Sequence, residues 1–327
     1  MTRVSQRTAY PLPMRVVVTG GAGFIGSNLC RHLLSASATT SVVVLDDLAT
    51  GNLANLDGLD VTFVEGTILD DATLDRACAG ASAIVHLAAL GSVPRSIAHP
   101  LATHHANSTG TVMVLEAARR HGNLHVVAAS SSSVYGSNPT LPKHEGLATR
   151  PMSPYGASKL ATESAVIAWG SSYRLPVLAF RFFNVFGPHQ PAGHAYAAVI
   201  PAFVDAALAG RPLPVHGDGS QSRDFTYVDT VCAVVVDAIT RGITSDEPIN
   251  LAHGTRISLL DVIDELEHIV GHPLERSHTA SRTGDVQHSQ ADSTRLLSMF
   301  GNVEPTPFAH GLAATVQWMR GQVPAQA

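Results

Sequence analysis

A tyrosine and a lysine stand four residues apart in Ser153-Pro154-Tyr155-Gly156-Ala157-Ser158-Lys159. Proline is tolerated in a helix's first turn, so a helix beginning near Pro154 puts Tyr155 and Lys159 on one face. Such a pair can move a proton. A free phenol, with a pKa of roughly 10, is a poor base at neutral pH, and a nearby cation pulls that pKa down towards a working general acid/base. The same spacing also arises by accident on solvated helices, so its meaning depends on its surroundings. Just upstream lies a run of hydroxyls, Ser130-Ser131-Ser132-Ser133-Val134-Tyr135-Gly136. Serine clusters are often turn chemistry. Beside Tyr155, a serine can instead hydrogen-bond the substrate oxygen whose proton the tyrosine takes.

The elements that must hold these groups alternate along the chain. Apolar, β-branched runs at Val16 to Thr19, Val42 to Asp46, Val61 to Val64, Ala83 to Leu87, His125 to Ala129 and Val177 to Arg181 read as strands. All but the third are nearly continuous, as expected for parallel strands covered on both faces. Helical stretches separate most of them, which predicts an α/β fold with a doubly wound parallel Rossmann sheet. After Phe183 the rhythm changes to a Gly-, Pro- and His-rich stretch, Asn184 to Tyr196. Val228 to Thr240 then reads as a buried helix and Pro248 to Leu251 as a returning strand. Ser258 caps a helix with Asp261 three residues on, and Gly271 stops it. The expected organisation is a cofactor-binding domain over 14–183, rejoined by 226–255. A smaller interleaved lobe over 184–225 and 256–327 would close a ligand cleft.

A cofactor is legible at the first strand's end. Gly20-Gly21-Ala22-Gly23-Phe24-Ile25-Gly26 follows the strand and opens a helix, and Asp46 ends the next strand twenty residues after Gly26. Glycines there let a pyrophosphate approach amides at a helix N-terminus, and an acid at that distance binds a ribose diol. Asp46 and Asp47 would repel a 2′-phosphate, which favours NAD over NADP. A P-loop is excluded because Ser27 stands where lysine is required.

Composition narrows the remaining classes. The chain has 327 residues, 45% of them hydrophobic, and 21 basic against 26 acidic side chains. A mildly acidic balance with no basic run argues against nucleic-acid binding. Cys30, Cys78 and Cys232 show no Cys-x-x-Cys spacing and read as buried thiols in a reducing cytoplasm, with no metal site. Met1 to Pro13 lacks an apolar core segment and reads as a loose tail; no run approaches membrane-spanning length. Gly-x-Ser-x-Gly and His-Glu-x-x-His are missing, so hydrolase and zincin chemistry lack their minimum parts. The seventeen histidines are dispersed, including the adjoining His104 and His105.

Together with His86-Leu87-Ala88-Ala89 and Arg181-Phe182-Phe183-Asn184, these motifs make the chain similar to the extended short-chain dehydrogenase/reductases, the NAD-dependent epimerase/dehydratase family acting on nucleotide sugars. The likeness spans Arg15 to the C-terminus. Gly91-Ser92-Val93-Pro94-Arg95-Ser96-Ile97, Ala195-Tyr196-Ala197-Ala198-Val199-Ile200-Pro201 and Gly284-Asp285-Val286-Gln287-His288-Ser289-Gln290-Ala291-Asp292 resemble the UDP-N-acetylglucosamine 4-epimerases within it. The resemblance implies catalysis by Tyr155 with Lys159, assisted by Ser131. It implies NAD contacts at Gly20, Gly23, Phe24, Ile25, Gly26, Asp46, Asn52, Ile68, Leu87, Ala88, Ala89, Asn107, Tyr155, Lys159 and Phe182. Asn184, Arg223 and Arg282 match diphosphate contacts, and Asp285 a carboxylate on the uridine ribose. Ser133, Ala198, Val199, Val215 and Ser289 complete the implied UDP-sugar site. Ser289 would leave room beside the sugar's C2 substituent, so an N-acetylhexosamine should fit. A homodimer through a helix around Ala102 to Arg120 and the helix carrying Tyr155 is also implied.

The chain departs from the family at Thr67, where an aspartate near the adenine is usual, and at Gly91, where galactose epimerases often carry lysine. Ser132 and Ser133 stand where dehydratases carry acids, so the expected reaction is 4-epimerisation of UDP-GlcNAc/UDP-GalNAc, with UDP-Glc/UDP-Gal as further substrates. UDP-glucuronate 4-epimerase, which shares the four-serine run, a nucleotide-sugar dehydratase and a non-catalytic dinucleotide sensor are the alternatives.

Overall fold

Valines 16, 17 and 18 sit in mid-strand with alternating side chains, and the two faces bury them in different cores. Val16 and Val18 join one apolar cluster with Val42, Val44, Val85 and Phe180, while Val17 joins the other with Val43, Ile84, Val126 and Ala179. Two covered faces are why the strands read as unbroken apolar runs. Each fully buried side chain of this kind contributes about 1.5–3 kcal/mol relative to an exposed one.

The computed structural model describes residues 4–6, 14–36, 39–192, 197–280 and 287–322. Its central sheet has seven strands: β1 (Met14–Thr19), β2 (Thr39–Asp46), β3 (Val61–Glu65), β4 (Ala83–His86), β5 (His125–Ser131), β6 (Val177–Phe182) and β7 (Ile249–Leu251). Every pairing is parallel, in the order β3-β2-β1-β4-β5-β6-β7. The order reverses between β1 and β4, which opens a crevice at their carboxyl ends. Helices Phe24–Ser35 and Val228–Thr240 cover one face. Helices Asp71–Cys78, Gly110–Arg120 and Pro154–Tyr173 cover the other. The expected doubly wound fold is the one observed.

The chain beyond Phe183 adds ladders too short for a sequence period to reveal. Val185–Phe186 pairs with Thr226–Tyr227, Ser222–Arg223 with Ile257–Ser258, and Leu213–His216 with Arg276–Thr279. Phe186, Phe225, Tyr227 and Phe308 pack with ring centroids 5.3–6.1 Å apart. They belong to the same apolar cluster as Val16 and Leu29, so this part and the sheet share a core. The helix Leu259–Val270 carries the expected capping box at Ser258 and Asp261, and Gly271 ends it at φ +84°. Among the described residues no helix is long and apolar enough to cross a membrane.

Candidate active site

The parallel sheet gathers the sequence motifs along one edge. Gly20 leaves β1 at φ +72°, and a Cβ there would lie 2.7 Å from the Ala88 amide nitrogen across the switch point. A side chain on Gly26 would collide with the Gly20 carbonyl and come within 2.6 Å of Gly21 Cα. Gly23 precedes helix Phe24–Ser35 and offers no side-chain cap, leaving the helix N-terminus to an anion. Gly26→Ala should therefore spread the loop. The expected result is a weaker affinity for NAD, read by titrating the purified protein with the nucleotide. Wild-type affinity would show that the loop tolerates the methyl.

Asp46 is 7% exposed and accepts from the amides of Ala22 (2.9 Å) and Leu48 (2.8 Å). Burial pushes its pKa up, and those amides pull it back. A carboxylate has about four acceptor positions, so the two oxygens keep capacity for a ribose diol. The Asn52 amide donates to the Ala22 carbonyl, and its side chain caps the turn Leu53–Leu56. Ile68 is buried against Gly110, while Leu87, Ala88, Ala89 and Phe182 are half-buried at the carboxyl edge. A glycine cradle that a Cβ would fill, an uncapped helix start and an acid with spare acceptor positions fit NAD.

The reacting end forms as the Pro154 spacing predicts. Ser153 caps helix Pro154–Tyr173 by accepting from the Gly156 amide at 3.0 Å, with Pro154 in the first turn. Lys159 is 6% exposed, and its Nζ donates to the Ala129 carbonyl at 2.9 Å. Burial lowers Lys159 to about 8. The expected lowering of the Tyr155 pKa by Lys159 is not what the structure shows. Burial raises the Tyr155 pKa, and the group pulling it back is Ser131, through a side-chain hydrogen bond. The physical reason is that the ammonium is directed at the adjoining strand's carbonyl, so desolvation of the phenolate outweighs any attraction to it.

A buried polar network holds this helix against the sheet. Asn107, 1% exposed, lies in a π-helical turn, His105–Thr109, inside the helix expected as continuous. Its side chain donates to Ser158 Oγ at 2.9 Å and accepts from the Leu90 amide at 2.7 Å. Its carbonyl accepts from Thr111 and Thr162. His86 bridges Thr19 Oγ1 (2.8 Å) and Thr111 Oγ1 (3.1 Å), and burial, then Lys159, pushes its pKa down to about 3. A neutral imidazole donating from Nε2 to Thr111 satisfies every partner, since the Thr111 proton is used at Asn107. Four residues beyond Lys159, Glu163 forms a bidentate pair with Arg181 at 2.6 and 2.8 Å and accepts from Ser130 Oγ at 2.8 Å. The role of Glu163 went unread in the sequence, although Tyr155, Lys159 and Glu163 share one helical face.

The remaining expected contacts are dispersed. Asn184, at φ +34°, donates from Nδ2 to the Asp224 carbonyl at 3.2 Å. Arg223 is half-buried, with NH1 donating to the carbonyls of Ser222 and Gln287. The Ser289 amide donates to the Ser222 carbonyl at 3.0 Å, so Arg223 and Ser289 stand on adjoining segments. Ala198 is exposed and starts helix Val199–Leu208, with Val199 half-buried. Val215 has 0% exposure; its side chain belongs to the core, and only its backbone is left to meet a ligand. Arg282 and Asp285, with Ala195 and Tyr196, lie outside the described residues. Asp224 was missed: wholly buried, it accepts from the amides of Gly254 and Ala291 and from Thr255 Oγ1, tying three segments together. Its neighbours Arg223 and Phe225 were the only sequence hint.

Such a sheet edge, with a glycine cradle after β1 and Ser131, Tyr155 and Lys159 gathered at β5 and the helix packed on it, defines an NAD-linked short-chain dehydrogenase/reductase of the extended kind. The profile of the NAD dependent epimerase/dehydratase family matches residues 16–252, and the chain belongs to that family. It is thus an NAD-dependent enzyme acting on a nucleotide sugar. It is 37% identical to the UDP-glucose 4-epimerase of Mycolicibacterium smegmatis, over 94% of this chain and 99% of the relative. Among solved structures it resembles the UDP-N-acetylglucosamine 4-epimerase of Methanobrevibacter ruminantium M1 in complex with UDP-N-acetylmuramic acid. That likeness has a TM-score of 0.87 and 33% identity, covering 95% of this chain and 99% of the other. It also resembles the dTDP-glucose 4,6-dehydratase DesIV of Streptomyces venezuelae with NAD and TYD bound. There the TM-score is 0.86 and the identity 34%, covering 94% and 97% of the two chains.

Proposed function

We propose that this chain is a UDP-sugar 4-epimerase, acting first on UDP-GlcNAc/UDP-GalNAc and also on UDP-Glc/UDP-Gal, and holding NAD through turnover. The observation that carries this reading is a complete Ser131, Tyr155 and Lys159 set followed by Ser132 and Ser133, which leaves no acid beside Ser131 for removing water. NAD, when bound, supplies the hydride acceptor and donor. Tyr155 takes the 4-hydroxyl proton and returns it after the keto sugar has turned over. Ser131 donates a hydrogen bond to the reacting oxygens, and Lys159 holds the helix face and the cofactor ribose. Asn184, Arg223 and Arg282 grip the diphosphate, with Asp285 on the ribose. The residues 184–225 and 256–327 form the UDP-sugar lobe against a Rossmann domain of 14–183 and 226–255.

The dehydratase reading draws support from similarity to dTDP-glucose 4,6-dehydratases, and the uronate reading from the four-serine run. Incubating the protein with UDP-GlcNAc, UDP-Glc, UDP-glucuronate and dTDP-glucose, and separating the products, decides among them. Interconversion of UDP-GlcNAc and UDP-GalNAc is expected; a 4-keto-6-deoxy product or turnover of UDP-glucuronate alone would overturn it. Ser289→Tyr should fill the space beside C2, lowering kcat/KM for UDP-GlcNAc by about 10–100-fold while sparing UDP-Glc, a clash of about 1–3 kcal/mol. Equal losses on both sugars would remove Ser289 from that role.

Ile97 and Leu101, 65% and 74% exposed beside helix Pro154–Tyr173, support a homodimer. Free, buried Cys30, Cys78 and Cys232 support a cytoplasmic protein.

A further inference from the structure

Ser131 ends β5 and caps the 3-10 turn Ser132–Val134. Its oxygen accepts twice from one residue: from the Ser133 amide at 3.2 Å and from the Ser133 hydroxyl at 2.7 Å. A hydroxyl oxygen has two lone pairs and one proton. Both lone pairs of Ser131 are therefore occupied, and the proton is its remaining polar capacity. On that side a side-chain hydrogen bond from Ser131 holds the Tyr155 phenol back from the full rise that burial gives it.

The backbone of Ser133 is held independently of its hydroxyl. Its carbonyl faces Gly156, where a Cβ would sit 2.9 Å away, so the start of helix Pro154–Tyr173 abuts the turn. Val134 is fully buried, and its carbonyl accepts from the Arg150 amide at 3.0 Å.

We infer that Ser133 is a positioning residue: its hydroxyl, donating to Ser131, leaves the single Ser131 proton to be donated to Tyr155 or, once the sugar is bound, to its reacting oxygen. Ser131 then cannot relay a proton, because receiving one requires a lone pair that Ser133 occupies. The 4-hydroxyl proton passes directly to Tyr155. The sugar O–H bond breaks with its electron pair left on the sugar oxygen, the Tyr155 O–H bond forms, and Ser131 keeps its own proton throughout. This assigns Ser133 to Ser131 in place of the direct sugar contact that the family resemblance implies. The identity of the reacting oxygen rests on the epimerase reading; the donor polarity of Ser131 does not.

The test compares Ser133→Ala, which removes the hydroxyl and keeps the amide, with Ser133→Thr, which restores a hydroxyl. Phenolate absorbance is titrated in each protein, with the same background carrying Tyr155→Phe subtracted so that Tyr155 is read alone. In Ser133→Ala the Ser131 proton is free to turn away, and the Tyr155 titration is expected to move to higher pH. With substrate, kcat should fall about fivefold, the scale of one hydrogen bond, with KM unchanged. Ser133→Thr should return both readouts towards wild type. A Ser133→Ala protein in which Tyr155 titrates as in wild type overturns the inference, as does a change confined to KM. If the wild-type protein epimerises none of the UDP-sugars, the epimerase reading fails, and the titration still decides the role of Ser133.

Discussion

Tyr155→Phe is expected to stop the proposed 4-epimerisation and to leave NAD binding intact. The substitution deletes one oxygen at the end of a helix that is otherwise fixed by Ser153, Pro154 and the Asn107–Ser158 contact. The glycine cradle after β1 and Asp46 at the end of β2 lie two and three strands from Ser131 in the sheet and should not feel the change. General acid/base groups contribute roughly 10²–10⁴-fold, so kcat should drop into that range, with the nucleotide content of the purified protein unchanged. A variant retaining more than about a tenth of wild-type turnover would move the proton transfer to another group. Loss of NAD together with activity would instead mean that Tyr155 acts in cofactor binding.

The second large effect concerns stability. Glu163 and Arg181 are paired with side chains only 6% and 4% exposed, and the guanidinium lies 4.7 Å from the Tyr135 ring centroid. Glu163→Ala leaves that guanidinium buried without its counter-charge and strips Ser130 of its acceptor. Breaking a buried pair from one side costs about 3–5 kcal/mol. Urea unfolding should show a loss of that size, and Tyr155 and Lys159 should lose activity with it because they share the Glu163 face. Replacing both partners, Glu163→Met with Arg181→Leu, removes both charges and should recover most of the stability. A single-variant loss below about 1 kcal/mol would mean that water reaches the pair.

These two predictions differ in how far the sequence anticipates them. Tyr155 and Lys159 declare themselves by a spacing of four after a proline, and the glycine loop by its place between a strand and a helix, because local geometry alone generates both signals. The seven central strands are legible for the same reason. The pairing of Glu163 with Arg181 is unremarked in sequence because it joins a helix to a strand, and a lone acid on a helix carries no mark of burial. The π turn at Asn107 has no period of its own and is absorbed into a continuous helix. The Tyr155 pKa shows the limit most clearly. A spacing of four puts the phenol and the ammonium on one face, but the direction of the shift depends on where Lys159 Nζ points, and the Ala129 carbonyl on a neighbouring strand holds it.

The claim on which the rest depends is that one carbon is oxidised and then reduced again, with no net redox change. UDP-N-acetylglucosamine carrying deuterium at C4 tests it directly, with the products analysed by NMR. The account predicts that the label remains at C4 in both epimers and that none enters the water. Label found at another carbon, or lost to solvent, would contradict it.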